Sequence, residues 1–286
     1  MPQTSPWICP TCRTIERTRF CPRCGERPLN PRELTLRGLA HEAFEALTNI
    51  DGRLLNSFRC LVIRPGALTV SFVEGRRKPY IGPVALFFVA NLLFFATESM
   101  TGGLVFSTTL DSHLHSQPWS GLAARLVTER LAALHTTAEI YAPQFDAAVA
   151  LHARSLVLVM AAMFALLVAL VFRRQRPFAA HAVFSLHLYG FLLLLMCAGM
   201  AGPAAGMLFG GTRSTSTMLD AVLTVLLVVA CAIYLFAAIR TVYGWRGWSR
   251  VFAAIGLTAG ASAIVLAYRF GLLIVTLYTT RGDVIS

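Results

Sequence analysis

Charged residues are scarce in this sequence. Only 14% of its 286 residues are Asp, Glu, Lys or Arg, whereas 56% are hydrophobic, and the mean hydropathy is +0.63. A soluble domain of this length carries more charge and fewer apolar side chains. The composition therefore excludes an ordinary soluble globular protein. Long apolar runs from Tyr80 onward indicate a membrane protein instead.

Acidic residues are the rarer charged class, with 14 against 25 basic residues and a net charge of +11. A nucleic-acid-binding protein would carry such charge on a soluble basic face. Here 13 of the basic residues fall in 1–79, and six others lie in two clusters that border apolar runs. We therefore expect the charge to set membrane topology, and we expect no nucleic acid as a partner.

Motifs of known enzyme chemistry are also missing. The sequence has no Walker loop, no Gly-x-Gly-x-x-Gly, no Gly-x-Ser-x-Gly and no His-Glu-x-x-His. The N-terminal stretch lacks the apolar core of a signal peptide. We predict no catalytic residues and do not expect an enzyme.

Four cysteines stand out from this background. Cys9 and Cys12 form one Cys-x-x-Cys pair, and after eight residues Cys21 and Cys24 form another. Four thiolates at that spacing suit one tetrahedral structural Zn(II), with Fe in a rubredoxin-like site as the alternative. Residues 1–28 are too few to bury a core, so the metal is expected to fold them into a zinc ribbon.

Residues 29–79 read as a cytoplasmic linker. Apolar spacing predicts amphipathic helices over 34–50 and 53–63, the second ended by Pro65-Gly66. Basic flanks just before the first span favour helices lying in the lipid headgroup region. A small soluble helical hairpin is the alternative.

The remainder, 80–280, is predicted to be an all-α integral membrane domain of about five transmembrane helices. An extracytoplasmic segment, 99–154, separates the first two spans. The five predicted spans are 80–98, 155–172, 178–200, 218–239 and 251–271.

Arginine placement orients these spans. Segments on the N-terminal side of the membrane hold 19 basic residues, and those on the other side hold at most six. The positive-inside rule then puts the N-terminus in the cytoplasm and the C-terminus outside it. This orientation keeps the four thiols in a reducing compartment, where they bind metal rather than form disulfides.

A string of motifs carries a family resemblance. After the knuckle cysteines come Arg64-Pro65-Gly66, then Gly75-Arg76-Arg77-Lys78 with Tyr80, then Pro83 at the start of the first span. This order resembles a bacterial family of membrane proteins, domain of unknown function 3667. Ser57 stands where that family tends to have Thr. The resemblance implies the fold and an inner-membrane location, and no activity.

The basic motif has two interpretations. Arg64, Arg76, Arg77, Lys78 and Tyr80 are either a topogenic signal at the cytoplasmic face or a site for anionic lipid headgroups. On both interpretations, anionic membrane lipids are expected partners.

Polar residues inside the spans are further candidates. Asn91 and His187 are expected near mid-membrane. There they either hydrogen-bond to each other, line a polar path, or simply hold helices together. Asp220 and Arg269 are predicted to pair, since a buried arginine needs a partner. Gly256 and Gly260 give the last span a small-residue face, which packs either within the chain or in a homo-oligomer.

Three function classes fit these features. A membrane interaction or regulatory protein, with a protein partner at the zinc ribbon, agrees best with the missing catalytic motifs. A small-solute or lipid transporter or channel is the alternative, and a membrane-embedded enzyme is the second alternative.

Overall fold

The computed structural model describes residues 6–18, 20–27, 52–101, 108–208 and 217–280, without the side chains of 154–156, 202–208 and 217–220. The ribbon contains two short antiparallel strands, β1 (Trp7–Ile8) and β2 (Ile15–Glu16). The predicted helix over 34–50 lies outside the described residues.

Two short helices precede the first span. The predicted helix over 53–63 is confirmed as α1 (Arg53–Ile63), and the Pro65-Gly66 break ends it. A second helix that the sequence pattern did not indicate, α2 (Ala67–Val73), follows at once. Thr69 and Phe72 of α2 are buried. The helix therefore packs into the bundle instead of lying on its surface.

Among the described residues, four helices are long and apolar enough to cross a membrane: α3 (Pro83–Thr101) and the later helices α7 (Phe178–Leu208), α8 (Thr217–Tyr243) and α9 (Gly247–Thr279). A further helix, α6 (Ala138–Val171), consists of two parts bent by 50°, Ala138–Ala153 and Val157–Val171. If this bent pair is one span, the described chain has five, as predicted.

The second part of α6 has the character of a spanning helix. Val157, Phe164 and Val168 are buried against the bundle, while Leu166 and Leu170 on the other side are exposed. A helix that is apolar both toward its neighbours and toward its surroundings suits lipid contact.

The segment predicted to lie between the first two spans forms a helical layer at one end of the bundle. Its described helices are α4 (Leu110–His115), α5 (Ser120–Leu134) and the first part of α6. Arg130 donates to the Thr280 carbonyl and the Tyr141 hydroxyl to the Leu277 carbonyl. These bonds satisfy carbonyls at the C-terminal end of α9, which has no further helical turn to accept them.

The basic segments lie at the opposite end of the bundle. Phe172, at the end of α6, stacks on Tyr243 with ring centroids 3.9 Å apart. Arg176 donates to the Val242 carbonyl, and Gly66 packs against α8 at the Ala238 carbonyl and the Val242 side chain. The segments predicted to share one side of the membrane thus meet at one end, together with the ribbon.

Candidate metal centre and the adjoining basic cleft

The four knuckle cysteines form one cluster. Their Sγ atoms all lie within 4.8 Å of one another, with Cys9–Cys24 and Cys12–Cys21 both at 3.4 Å and Cys12–Cys24 at 3.8 Å. A tetrahedron with Zn–S bonds of about 2.3 Å has S–S edges of about 3.8 Å. The described thiols therefore fit a single tetrahedral metal ion.

The two knuckles share one backbone design. The Arg13 N–H donates to the Cys9 carbonyl, and the Gly25 N–H donates to the Cys21 carbonyl. Both donors have positive φ, 60° at Arg13 and 71° at Gly25. Each turn therefore curls back over its first cysteine, which brings the two Sγ atoms of that knuckle to the same side of the turn.

The protonation of the thiols favours a bound cation. A hydrogen bond with the Thr14 hydroxyl lowers the pKa of Cys12 to about 6, so this sulfur is readily a thiolate. Burial raises the pKa of Cys24 to about 12. Four thiolates in so small a volume repel one another, and a divalent cation offsets that repulsion and displaces the protons.

Glu26 joins the ribbon to the membrane body. This carboxylate is only 2% exposed. Its Oε2 accepts from the Thr11 hydroxyl at 2.9 Å and from the backbone N–H groups of Arg77 and Lys78 at 3.1 and 3.2 Å. A buried carboxylate with three donors is well compensated. The ribbon is thus hydrogen-bonded to the basic loop at 74–79.

Helix α1 holds the other side of that loop. Ser57 Oγ accepts from the Ile81 N–H at 3.0 Å and donates to the Arg53 carbonyl at 2.7 Å. Asn56 donates to the Pro79 carbonyl at 3.0 Å. The hydroxyl at position 57 is therefore used structurally, which explains why Ser can stand where the resembled family tends to have Thr.

A cleft opens beside the loop and the start of α3. It encloses about 290 Å³, including its open mouth. Its walls combine polar side chains with apolar ones and backbone: Leu68, Phe72, Arg76, Arg77, Tyr80, Ile81, Gly82, Pro83 and His187.

The predicted basic cluster is divided by the fold. Arg76, Arg77 and Tyr80 line the cleft. Arg64 is exposed but close enough for its charge to act on Tyr80, whose pKa is raised by burial and by a hydrogen bond with the Cys60 thiol. Lys78 lies outside the lining, with its Cε and Nζ beside Gly25 of the ribbon.

His187 enters the same site from the third predicted span. Its Nδ1 lies 2.8 Å from the Oγ1 of Thr69, and both residues are buried. A bond with Asn91 was one of the alternatives that the sequence pattern offered for His187. That suggestion missed Thr69 because α2, the helix that carries it, was not predicted to enter the bundle. Asn91 itself is half-buried in α3.

The predicted pair of Asp220 with Arg269 falls partly outside the described residues, because the side chain of Asp220 is not among them. Arg269 lies near His113, and its charge together with burial lowers the pKa of that histidine to about 4. Glu98, buried in α3, and Arg269 both lie close enough to Tyr268 for their charges to act there. Glu98 is thus a neighbour that sequence reasoning missed.

The small-residue face of the last span is used within the chain. A Cβ atom at Gly260 would overlap a side-chain methyl of Leu167 in α6. At Gly256 nothing among the described residues lies within 4 Å. Gly260 therefore permits close packing of α9 on α6, and only Gly256 leaves an open face.

Sequence reasoning assigned no site role to Glu26, Ser57 or Thr69, although it noted Ser57 as a departure from the family motif. Each of the three is a polar side chain with at least one partner more than 20 positions away. A signal existed for Glu26, an acid just after the last knuckle cysteine, and for Thr69, which with Ser71 is one of two hydroxyls in an otherwise apolar heptamer.

Comparison with known proteins adds a family but no activity. A family model described as a protein of unknown function (DUF3667) matches residues 51–95. The match contains Arg64-Pro65-Gly66, the basic loop, Tyr80 and Pro83, so the resemblance is confirmed over these motifs. No curated protein matches the chain, and no solved structure does.

Proposed function

We propose that the chain is a membrane interaction or regulatory protein without enzymatic activity of its own. One structural Zn(II) folds its N-terminal ribbon, and the ribbon is a cap on the basic loop that also binds a partner protein. The ribbon end faces the cytoplasm of a bacterial inner membrane, and the C-terminus lies on the other side. The observation that carries this proposal is the buried Glu26 carboxylate between ribbon and loop.

The metal has a structural part in this proposal. Four cysteine ligands fill a tetrahedral ion completely and leave no position for substrate or water. Zn(II) rather than iron is proposed because it needs no redox partner and is the usual ion in paired Cys-x-x-Cys ribbons. Its binding free energy, about 10–16 kcal/mol in model peptides, is what would fold so small a module.

The docked ribbon keeps a second face for a partner. Ile8 and Ile15 are opposite each other on the two strands and are 67% and 72% exposed. Arg13 and Arg23 are exposed on the same small module. An exposed apolar pair with basic neighbours suits a partner that offers an apolar surface flanked by acidic residues.

Hydrogen–deuterium exchange tests the docking directly, because Glu26 accepts from two specific amides. Glu26→Ala in the full-length, zinc-loaded protein removes the acceptor. We expect exchange of the Arg77 and Lys78 amides to accelerate by about 10- to 100-fold, since a hydrogen bond to a charged group contributes about 1.5–3 kcal/mol. Arg23→Ala, an exposed change on the same knuckle, is the matched control and should leave exchange unchanged.

Metal removal separates the two halves of the proposal. Replacing Cys9, Cys12, Cys21 and Cys24 by Ser should abolish bound zinc in elemental analysis and accelerate the same two amides. Stoichiometric zinc in this variant would refute the metal assignment. Normal zinc in Glu26→Ala with unchanged amide exchange would refute the docking.

A photo-crosslinking amino acid at position 15 tests the partner surface in native membranes. A discrete protein adduct that disappears in the four-cysteine variant is expected. Adducts that persist without the metal site, or that contain only lipid, would refute a partner held by the folded ribbon.

A further inference from the structure

The cleft beside the basic loop has one strongly positive wall. Arg76 and Arg77 both line it, together with Tyr80. The Arg77 guanidinium lies over the Phe72 ring, 4.7 Å from the centroid. Cation–π contact with a buried ring restricts the guanidinium and favours an orientation toward the cleft.

Carboxylates near the cleft do not fill it. None of its lining residues, all within the described chain, is acidic. Glu74 pairs with Arg76 from the rim at 2.5 Å through Nη2, while the Nε of Arg76 is buried without a hydrogen-bond partner among the described residues. Glu26 contacts the loop through backbone N–H groups. Arg76 therefore retains a donor for an external anion.

The start of α3 adds to this positive potential. Gly82 and Pro83 line the cleft, and the helical bonding of α3 begins where the Leu86 N–H donates to the Gly82 carbonyl. The N–H groups of Val84 and Ala85 precede that bond and point out of the helix end. Helix N-termini of this kind favour phosphate oxygens.

The remaining walls are apolar. Leu68, Phe72 and Ile81 also line the cleft, together with His187, whose Nδ1 is bonded to Thr69. This combination of cationic and apolar walls lies where the basic loop meets the first span, the region that the sequence pattern assigns to the membrane face.

We infer that this cleft binds the phosphate group of an anionic phospholipid. The Arg76 and Arg77 guanidinium groups and the Tyr80 hydroxyl donate to the phosphate oxygens. Leu68 and Phe72 contact the glycerol and the first acyl carbons. Arg64 and Lys78, grouped with these residues by the sequence, are not among the lining residues. The inference does not depend on the zinc ribbon's function.

Titration of the full-length protein in non-ionic detergent tests the inference. The probes are short-chain phosphatidylglycerol, short-chain phosphatidylcholine and inorganic phosphate, each followed by native mass spectrometry or thermophoresis. Phosphatidylglycerol should bind most tightly. Arg76→Gln and Arg77→Gln should each weaken it by about tenfold or more, as expected for a charge-assisted bond. Arg174→Gln, an exposed change in the loop at the same bundle end, should alter it less than twofold.

Two further variants keep the test decisive. Tyr80→Phe removes one donor with little change of shape and should weaken phosphatidylglycerol severalfold even if an arginine variant misfolds. Phe72→Leu should weaken the lipid but not inorganic phosphate. Zinc content of each preparation shows that the ribbon is intact, which separates this test from that of the proposed function.

Three outcomes would overturn the inference. Equal weakening by Arg174→Gln and Arg76→Gln would mean diffuse surface attraction. Inorganic phosphate binding as tightly as phosphatidylglycerol would identify a free-phosphate site. Equal affinity for phosphatidylcholine would show that the anionic headgroup is not what the cleft recognises.

Discussion

Gly66 is where the family motif makes its closest contact with the bundle, and Gly66→Ala is the sharpest single test of the fold. Its φ is +83°, in the region that side chains rarely adopt. An added Cβ would lie 3.0 Å from Val242 Cγ2, 3.1 Å from the Ala238 carbonyl oxygen and 3.1 Å from Thr241 Cβ. Two of these neighbours are close to or part of the α8 backbone, so they cannot turn aside.

The expected loss in the free energy of unfolding has two parts, and variants at two other glycines separate them. A left-handed φ costs a non-glycine residue about 1–2 kcal/mol, and overpacking costs about 1–3 kcal/mol, so Gly66→Ala should lose about 2–5 kcal/mol. Gly244→Ala has φ +72° and nothing within 4 Å, so it carries the first part alone. Gly256→Ala lies in open helix surface and should be neutral or slightly stabilising.

Thermal unfolding in detergent ranks these variants, with the fraction of protein that remains monodisperse as the measured quantity. Each kcal/mol corresponds to about 2–4 °C for a chain of this order of size. We expect Gly256→Ala to be most stable, Gly244→Ala intermediate and Gly66→Ala least stable. Equal loss in Gly66→Ala and Gly244→Ala would show that α8 does not approach position 66, and the packing of the motif on the bundle would be wrong.

Two further predictions concern buried polar groups. The pKa of His113 falls from 6.5 to about 4 through burial and the charge of Arg269, so the neutral ring stabilises the fold above pH 6.5, and this contribution is lost as the pH drops toward 4. The Tm should therefore fall over that window, less so in His113→Asn, while exposed His115→Asn should follow the wild type. Ser57→Ala leaves the Ile81 N–H without its acceptor and should cost about 1–3 kcal/mol. Ser57→Thr keeps the hydroxyl and should stay within about 0.5 kcal/mol of wild type in the same thermal assay; equal Tm values for the Ala and Thr variants would contradict the contact.

Local sequence patterns were enough to predict the metal site and the membrane-spanning helices. The spacing of Cys9, Cys12, Cys21 and Cys24 is short enough that two tight turns bring the thiols together without help from the rest of the chain. Apolar length likewise reveals a span, because lipid demands a long helix whatever its neighbours are. The bend inside α6 was not visible in composition, so the predicted span at 155–172 became the second part of a longer helix.

The aromatic residues between the last two spans show the limit of such patterns. Tyr243, Trp245 and Trp248 together resemble an interfacial belt. Only Trp248 is 77% exposed, whereas Tyr243 and Trp245 both pack on Phe172 from another helix. Composition cannot distinguish an aromatic ring that faces lipid from one that fills a gap between helices.

The sequence by itself determined the ingredients: a four-thiol metal site, basic segments that share one side of the membrane, and four or five apolar helices. Tertiary structure alone decided which polar groups meet. Glu26 reaches Arg77 and Lys78 across about 50 positions, and Thr69 meets His187 across 118. Periodicity and spacing describe neighbours along one helix, whereas these contacts depend on where separate elements cross, and that is set by packing of the whole bundle.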